Sequence, residues 1–400
     1  MKGLKKQLER IRPHFQPGGK LSALHSVYDG METFLFTPNE TAAEKGAHIR
    51  DANDSKRTMI IVVMALMPCF LFGMYNTAYQ HWLAAGASEF PFWTMMLYGF
   101  LAVLPRVIVS YLVGLGIEFV VAQWRKEEIQ EGFLVTGILI PMICPIETPL
   151  WMIAVATAFA VIFVKEVFGG TGYNILNVAL VTRAFLFFAY PKQMSGDNVF
   201  VVTDPVCGIG GAAADGFTGA TPLGEIATAT SSEQVGRITA DWWNAFIGLI
   251  PGSFGETSTL CVLIGAAILL FSGMASWKIM LSALIGGLSM GAVAHAFPSA
   301  TFPASYMSAF DQLIYGGFAF AIVFMATDPV TAARTETGKW IYGFLVGAMA
   351  IVIRVYNSGY PEGAMLAVLL MNVFAPLIDY CVVQSNVKRR LNRVKTSARS

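Results

Sequence analysis

Thr58-Met-Ile-Ile-Val-Val-Met-Ala-Leu-Met-Pro-Cys-Phe-Leu-Phe-Gly-Met-Tyr-Asn-Thr-Ala78 runs without a charged side chain. A hydrocarbon core of about 30 Å needs roughly 20 mainly apolar residues in a helix, and this stretch supplies them. Further mainly apolar runs, some containing a charged residue, follow at about 93–123, 132–145, 150–168, 177–190, 257–274, 277–297, 311–327, 340–357 and 363–383. Across the 400 residues, 55% are hydrophobic and 13% charged, against roughly 25% charged in soluble domains. The pattern predicts an all-α polytopic membrane protein with about ten transmembrane helices. Segments 132–145 and 177–190 are short and 93–123 contains Pro105, so broken or tilted helices are expected. Segment 242–252 is too short to cross and reads as an interfacial or re-entrant piece.

Charge placement gives the orientation. Lys and Arg crowd into 1–57, 123–131, 328–339 and 384–400, including Arg125, Lys126, Arg334, Lys339, Lys388, Arg389, Arg390 and Arg393. Loop 191–241 carries only Lys192 and Arg237 against six carboxylates, Asp215 among them. By the positive-inside rule both termini lie in the cytoplasm and loop 191–241 in the periplasm. The expected organisation is a cytoplasmic segment 1–57, a transmembrane domain 58–383 in a bacterial inner membrane, and a basic cytoplasmic tail 384–400. Residues 1–57 are polar, so no cleavable leader is expected and the first spanning helix is the insertion signal. The five cysteines show no Cys-x-x-Cys spacing and the five histidines no ligand spacing, so no metal site is expected. Nothing in the composition points to nucleic acid.

An internal echo joins the two halves. Gly169-Gly-Thr-Gly-Tyr173 leads into a helix passing Arg183-Ala-Phe185, and Asn357-Ser-Gly-Tyr-Pro361 into one passing Asn372-Val-Phe374. Two inverted repeats of five helices, with sites at broken helices on their interface, fit that echo.

The polar loop holds Asp215-Gly-Phe-Thr-Gly-Ala-Thr221, in which Gly219 and Ala220 leave little bulk around the last hydroxyl. Asp, two residues, then Thr-Gly-Ala-Thr is the pattern on which bacterial flavin transferases esterify the FMN phosphate. Asp215, Gly216, Thr218 and Gly219 read as recognition positions and Thr221 as the acceptor. A plain small-residue loop is the competing reading.

The chain resembles the B-type membrane component of the sodium-translocating NADH:quinone oxidoreductase, Nqr. The resemblance runs from Leu4-Lys-Lys and Phe15-Gln-Pro-Gly-Gly19 to Asn386-Val-Lys-Arg-Arg-Leu391. It includes Lys165-Glu-Val-Phe-Gly-Gly-Thr-Gly172, Arg183-Ala-Phe-Leu-Phe-Phe-Ala-Tyr-Pro191, Phe324-Met-Ala-Thr-Asp-Pro329 and Tyr360-Pro-Glu-Gly363. The D-type component of the related Rnf complex has a similar core and loop. The long polar N-terminal segment and the Arg183-Ala-Phe block favour Nqr. The resemblance implies covalent FMN on Thr221, non-covalent riboflavin, a share of the ubiquinone site and Na⁺ export. It also implies partner proteins in a six-subunit complex, one of them holding the NADH site, and a flavin transferase for maturation. No Gly-x-Gly-x-x-Gly lies between a strand and a helix here. The D-type component of an Rnf complex, or a redox-inactive inverted-repeat transporter or channel, stands as the alternative.

Charges inside the bilayer are costly, so each invites a functional reading. Glu118 follows Gly114-Leu-Gly116, a segment that the resemblance links to quinone handling and sodium uptake, although the family pattern there reads Gly-Gly. Snorkelling beside Trp124 and Arg125 is the other reading. Asp379 matches a carboxylate tied in the family to sodium; a surface bridge to Lys388 or Arg389 competes. Asp328, in Thr327-Asp-Pro329, reads as an ion-pathway carboxylate or a turn residue. Gly172, Asn174 and Asn177 read as a riboflavin neighbourhood or a tight turn. Arg106 and Arg354 pair internally or bind a flavin phosphate.

Overall fold

A computed structural model describes residues 10–15, 19, 25, 28, 55–87, 89, 91–125, 132–195, 199–212, 217–357 and 359–397. Among these, apolar stretches form helices α1 (Ser55–Ala84), α2 (Phe92–Arg125), α3 (Phe133–Ile143), α4 (Leu150–Ala160) and α5 (Val178–Ala189). Three short helices of the polar loop follow: α6 (Pro222–Thr228), α7 (Ser232–Thr239) and α8 (Trp242–Ile247). The second half holds α9 (Thr259–Phe271), α10 (Trp277–Ala296), α11 (Glu336–Tyr356) and α12 (Ala364–Ser397). The protein is all-α and polytopic: α1, α2, α10, α11 and α12 are long and apolar enough to cross a membrane. Shorter apolar helices lie between them.

The interruptions fall at particular residues. Segment 311–327 is broken into Asp311–Ile314, Phe318–Phe320 and a π-helical turn Ala321–Met325. A second π-helical turn, Val161–Glu166, closes α4. Such turns shift the register of the side chains that follow them and recur at functional positions. Helix α2, by contrast, is not broken at Pro105. The Arg106 guanidinium donates to the Ala102 carbonyl at 2.6 Å, on the turn that the proline ring crowds. Segment 242–252 forms the single short turn of α8, stopped by Gly248 at φ 105°.

Helix α1 packs on α9 and α5 packs on α12, so contacts join the first five helices to the later ones. Glycines set the closest approaches. A Cβ on Gly347 or Gly286 would run into the Ala283 and Phe344 carbonyls, so α10 and α11 meet backbone to backbone. Lys278 and Glu336, in the first turns of these two helices, form an ion pair. Both helices therefore start at the same end of the bundle and run parallel.

The last helix runs past the expected end at about 383: α12 is unbroken from Ala364 to Ser397, so the described part of the basic segment 384–400 is helical. Its 34 residues span about 51 Å at 1.5 Å each, far more than a hydrocarbon core. No Gly or Pro follows Pro376 to stop it. Asp379 therefore does not end the last helix.

Candidate functional site

Thr221 is held by local capping. It sits at the N-cap of α6, where its hydroxyl oxygen accepts from the Gly224 N–H at 3.1 Å and Pro222 occupies the first helical position. Leu223 and Ile226 of the same helix are buried, so α6 is pinned while Thr221 stays half-exposed. Thr221 opens on a cavity of about 520 Å³, whose walls include Arg183, Phe187, Thr218, Tyr360 and Glu362. That volume lies within the roughly 300–1,000 Å³ of small-molecule sites. Gly219 is buried beside it. Asp215, Gly216 and Lys126 lie outside the described residues.

Charge is concentrated on one wall. Arg183 is buried, donates to Glu256 at 3.1 Å and pairs with Glu362 through its other terminal nitrogen. Tyr360 packs edge-on against Phe187, ring centroids 4.4 Å apart. Burial pushes the Tyr360 hydroxyl above its ordinary range. Arg354 is an internal residue: it donates to the Gln312 carbonyl and, at 3.3 Å, to that of Glu362. The Tyr360-Pro-Glu-Gly363 turn is thus gripped by one arginine from each half.

A second cavity, of about 100 Å³, brings Asn174, Asn177, Asp328 and Lys165 together. Asn177 caps α5, accepting from Ala179 and Leu180 at 3.1 and 3.3 Å, and donates to Asp328 at 3.2 Å. Asp328 also accepts from the Val330 N–H and the Thr331 hydroxyl, each at 3.0 Å. Its turn role and its place in the cavity coexist. Asn174 braces its own turn, donating to Leu176 at 3.0 Å and accepting from Gly172 at 3.3 Å. Gly172 is exposed at φ 97°, a left-handed conformation that favours glycine, and does not line the cavity. At this volume a tricyclic ring requires side chains to move.

Glu118 does not snorkel. It is buried, 5% exposed, in an ion pair with Lys165, while Arg125 lies 3.6 Å from Glu166 instead. The second oxygen of Glu118 has no hydrogen-bond partner among the described residues. The space beside Gly114 is filled by the Phe133 ring, over which Lys165 sits at 5.9 Å. Gly116 faces open space.

Asp379 forms no bridge to Lys388 or Arg389. Its carboxylate accepts from the Arg334 and Thr335 N–H groups at 2.7 and 3.0 Å and from the Thr335 hydroxyl at 2.6 Å, tying α12 to the start of α11. Losing an acceptor for several such donors costs about 1–3 kcal/mol. Asp379→Ala is therefore expected to lower the thermal midpoint of the purified protein at every sodium concentration. An unchanged midpoint with weakened sodium dependence would contradict this bracing role.

Residues from the segments assigned inside line the Asp328 cavity, and those assigned outside line the Thr221 cavity. The sites stand at opposite ends of the bundle. Glu256, Glu362 and Lys165 escaped the sequence reading as site residues. The signal for the first was a lone carboxylate beside an apolar run; the other two lie inside blocks that carry the family resemblance.

Comparison with known proteins matches residues 42–388 to the model of the NQR2, RnfD, RnfE family. The B-type component of Na(+)-translocating NADH-quinone reductase from Klebsiella pneumoniae (strain 342) is 44% identical over 98% of this chain and 100% of its own length. Proteins of the same name from Chromohalobacter salexigens and Pseudomonas aeruginosa (strain LESB58) are each 42% identical over 98% of this chain. They are covered over 97% and 99% of their own lengths.

Proposed function

This chain belongs to the NQR2, RnfD, RnfE family, and we propose from that premise that it is the membrane subunit of a respiratory Na⁺-translocating NADH:ubiquinone reductase. Near-complete coverage by relatives named for the B-type component favours this over the D-type component of an Rnf complex. The reading is an electron relay from NADH, oxidised on another subunit, to ubiquinone, coupled to Na⁺ export across an inner membrane. The observation that carries it is the half-exposed Thr221 hydroxyl at the edge of a cavity of about 520 Å³.

The residues fit a flavin phosphate ester. Thr221 supplies the oxygen, and its fixed N-cap geometry sets where the tether begins. When bound, the flavin supplies one- and two-electron transfer. Phe187 and Tyr360 offer a wall for a flat ring, and Arg183 a cation against negative charge. Riboflavin falls to the Asn174, Asn177 and Asp328 cavity, which must widen to hold it. Ubiquinone and entering Na⁺ fall to the neighbourhood of Gly114 and Glu118, with Asp328 as a further oxygen donor on the ion path.

Mass spectrometry of the native complex tests the tether. The peptide spanning Thr221 is expected to carry the mass of FMN joined with loss of water. The unmodified mass in the assembled, active complex would end this reading.

A further inference from the structure

A third cavity, of about 470 Å³, opens where α10 and α11 begin, walled by Trp277, Lys278, Arg334, Glu336 and Lys339. Lys278 and Lys339 both pair with Glu336, the latter at 2.7 Å. Their side chains are 28% and 24% exposed, so both remain reachable. Asp379 takes the backbone N–H of Arg334, whose guanidinium makes no ion pair among the described residues. Against these three cations stand two carboxylates, Glu336 and Asp379, and both oxygens of Asp379 are already engaged.

Helix geometry adds to the positive side. The parallel, glycine-packed α10 and α11 bring two N-termini to one rim, each equivalent to roughly half a positive charge. Trp277 meets Trp340 edge-on at 5.8 Å there, as interfacial aromatic anchors do. Directly below, Leu281 and Ile285 of α10 and Ile341 and Phe344 of α11 are exposed on the apolar flank. One ligand satisfies both halves of this surface: an anionic head in the cavity and acyl chains along the flank.

We infer that this cavity binds the phosphate head of an anionic membrane phospholipid, with Lys278, Arg334 and Lys339 as its cations. It shares Met274, Ala275, Thr327 and Pro329 with the Asp328 cavity, so the lipid abuts that site without entering it. The inference does not depend on a tethered flavin.

Native mass spectrometry of the delipidated complex, titrated with phosphatidylglycerol or with phosphatidylcholine of the same chains, tests it. Phosphatidylglycerol is expected to occupy one tight site for which phosphatidylcholine does not compete. Arg334→Ala, which keeps the backbone contact to Asp379, should weaken that site about fivefold, since each cation near the surface contributes about 1 kcal/mol. The Lys278→Ala, Arg334→Ala, Lys339→Ala triple variant should lose it and keep its flavins, while Lys278→Arg with Lys339→Arg should retain it. Equal binding of both lipids, unchanged affinity in Arg334→Ala, or loss of flavin with the lipid would overturn the inference. Displacement by millimolar inorganic phosphate would overturn it in favour of a free-anion site. Occupation by an acidic segment of another protein of the complex, seen as no lipid uptake until that protein is removed, would do the same.

Discussion

If Thr221 carries the proposed ester, Thr221→Val is expected to abolish flavin fluorescence of this chain on a denaturing gel and to leave its level in the membrane unchanged. Valine matches threonine in shape but offers no oxygen to a phosphate. The N-cap bond to Gly224 goes with it, a cost of about 0.5–2 kcal/mol confined to a short surface helix. That is too little to unfold the bundle, since Leu223 and Ile226 of that helix keep their buried contacts. Thr228→Val is the matched control, because Thr228 lines the same cavity, has a hydroxyl of its own and lies outside the recognition string. It should keep the fluorescence. A fluorescent Thr221→Val chain would show that the ester, if formed at all, is on another residue.

Lys165→Met should destabilise the protein more than any surface change. It leaves Glu118 as an unpaired charge in a dry environment, and breaking a buried pair on one side costs about 3–5 kcal/mol. Glu118→Gln alone strands the ammonium with a similar penalty. The double variant, Glu118→Gln with Lys165→Met, should recover most of the loss, because two neutral groups of similar volume replace two charges. Thermal denaturation of the detergent-solubilised complex, followed by loss of helical circular dichroism, measures all three. Strictly additive losses would mean that the two side chains act independently, and the pair would lose its meaning as a unit.

The architecture was readable because the bilayer imposes its own length scale. Each apolar run in the sequence found a helical or broken-helical counterpart. Pro105 does not interrupt α2, and beside it the Arg106 guanidinium donates to the Ala102 carbonyl. The end of α12 misled because charge marks where lipid stops, not where a helix stops.

The sites were legible to different degrees. Thr221 could be found because modification leaves a contiguous recognition string. The partners of Arg183 could not, since Glu256 and Glu362 lie 73 and 179 positions away. Lys165 was hidden for the same reason, 47 residues from Glu118. At Asp379 the sequence suggested an ion-pathway carboxylate but could not show the Arg334 and Thr335 N–H groups that its oxygens accept from, 45 and 44 positions away.

The arginine-gripped turn has a mechanical consequence. Arg183 crosses from α5 to Glu256 and Glu362, and at the opposite end Asn177 crosses to Asp328. The seam between the two halves is thereby stitched at both rims, by ion pairs at one and a hydrogen bond at the other. Rocking one half against the other as a rigid body would break the buried Arg183 pairs, at several kcal/mol, and the Asn177–Asp328 hydrogen bond. The two π-helical turns, Val161–Glu166 and Ala321–Met325, are places inside this frame where the regular helical hydrogen-bond pattern is interrupted.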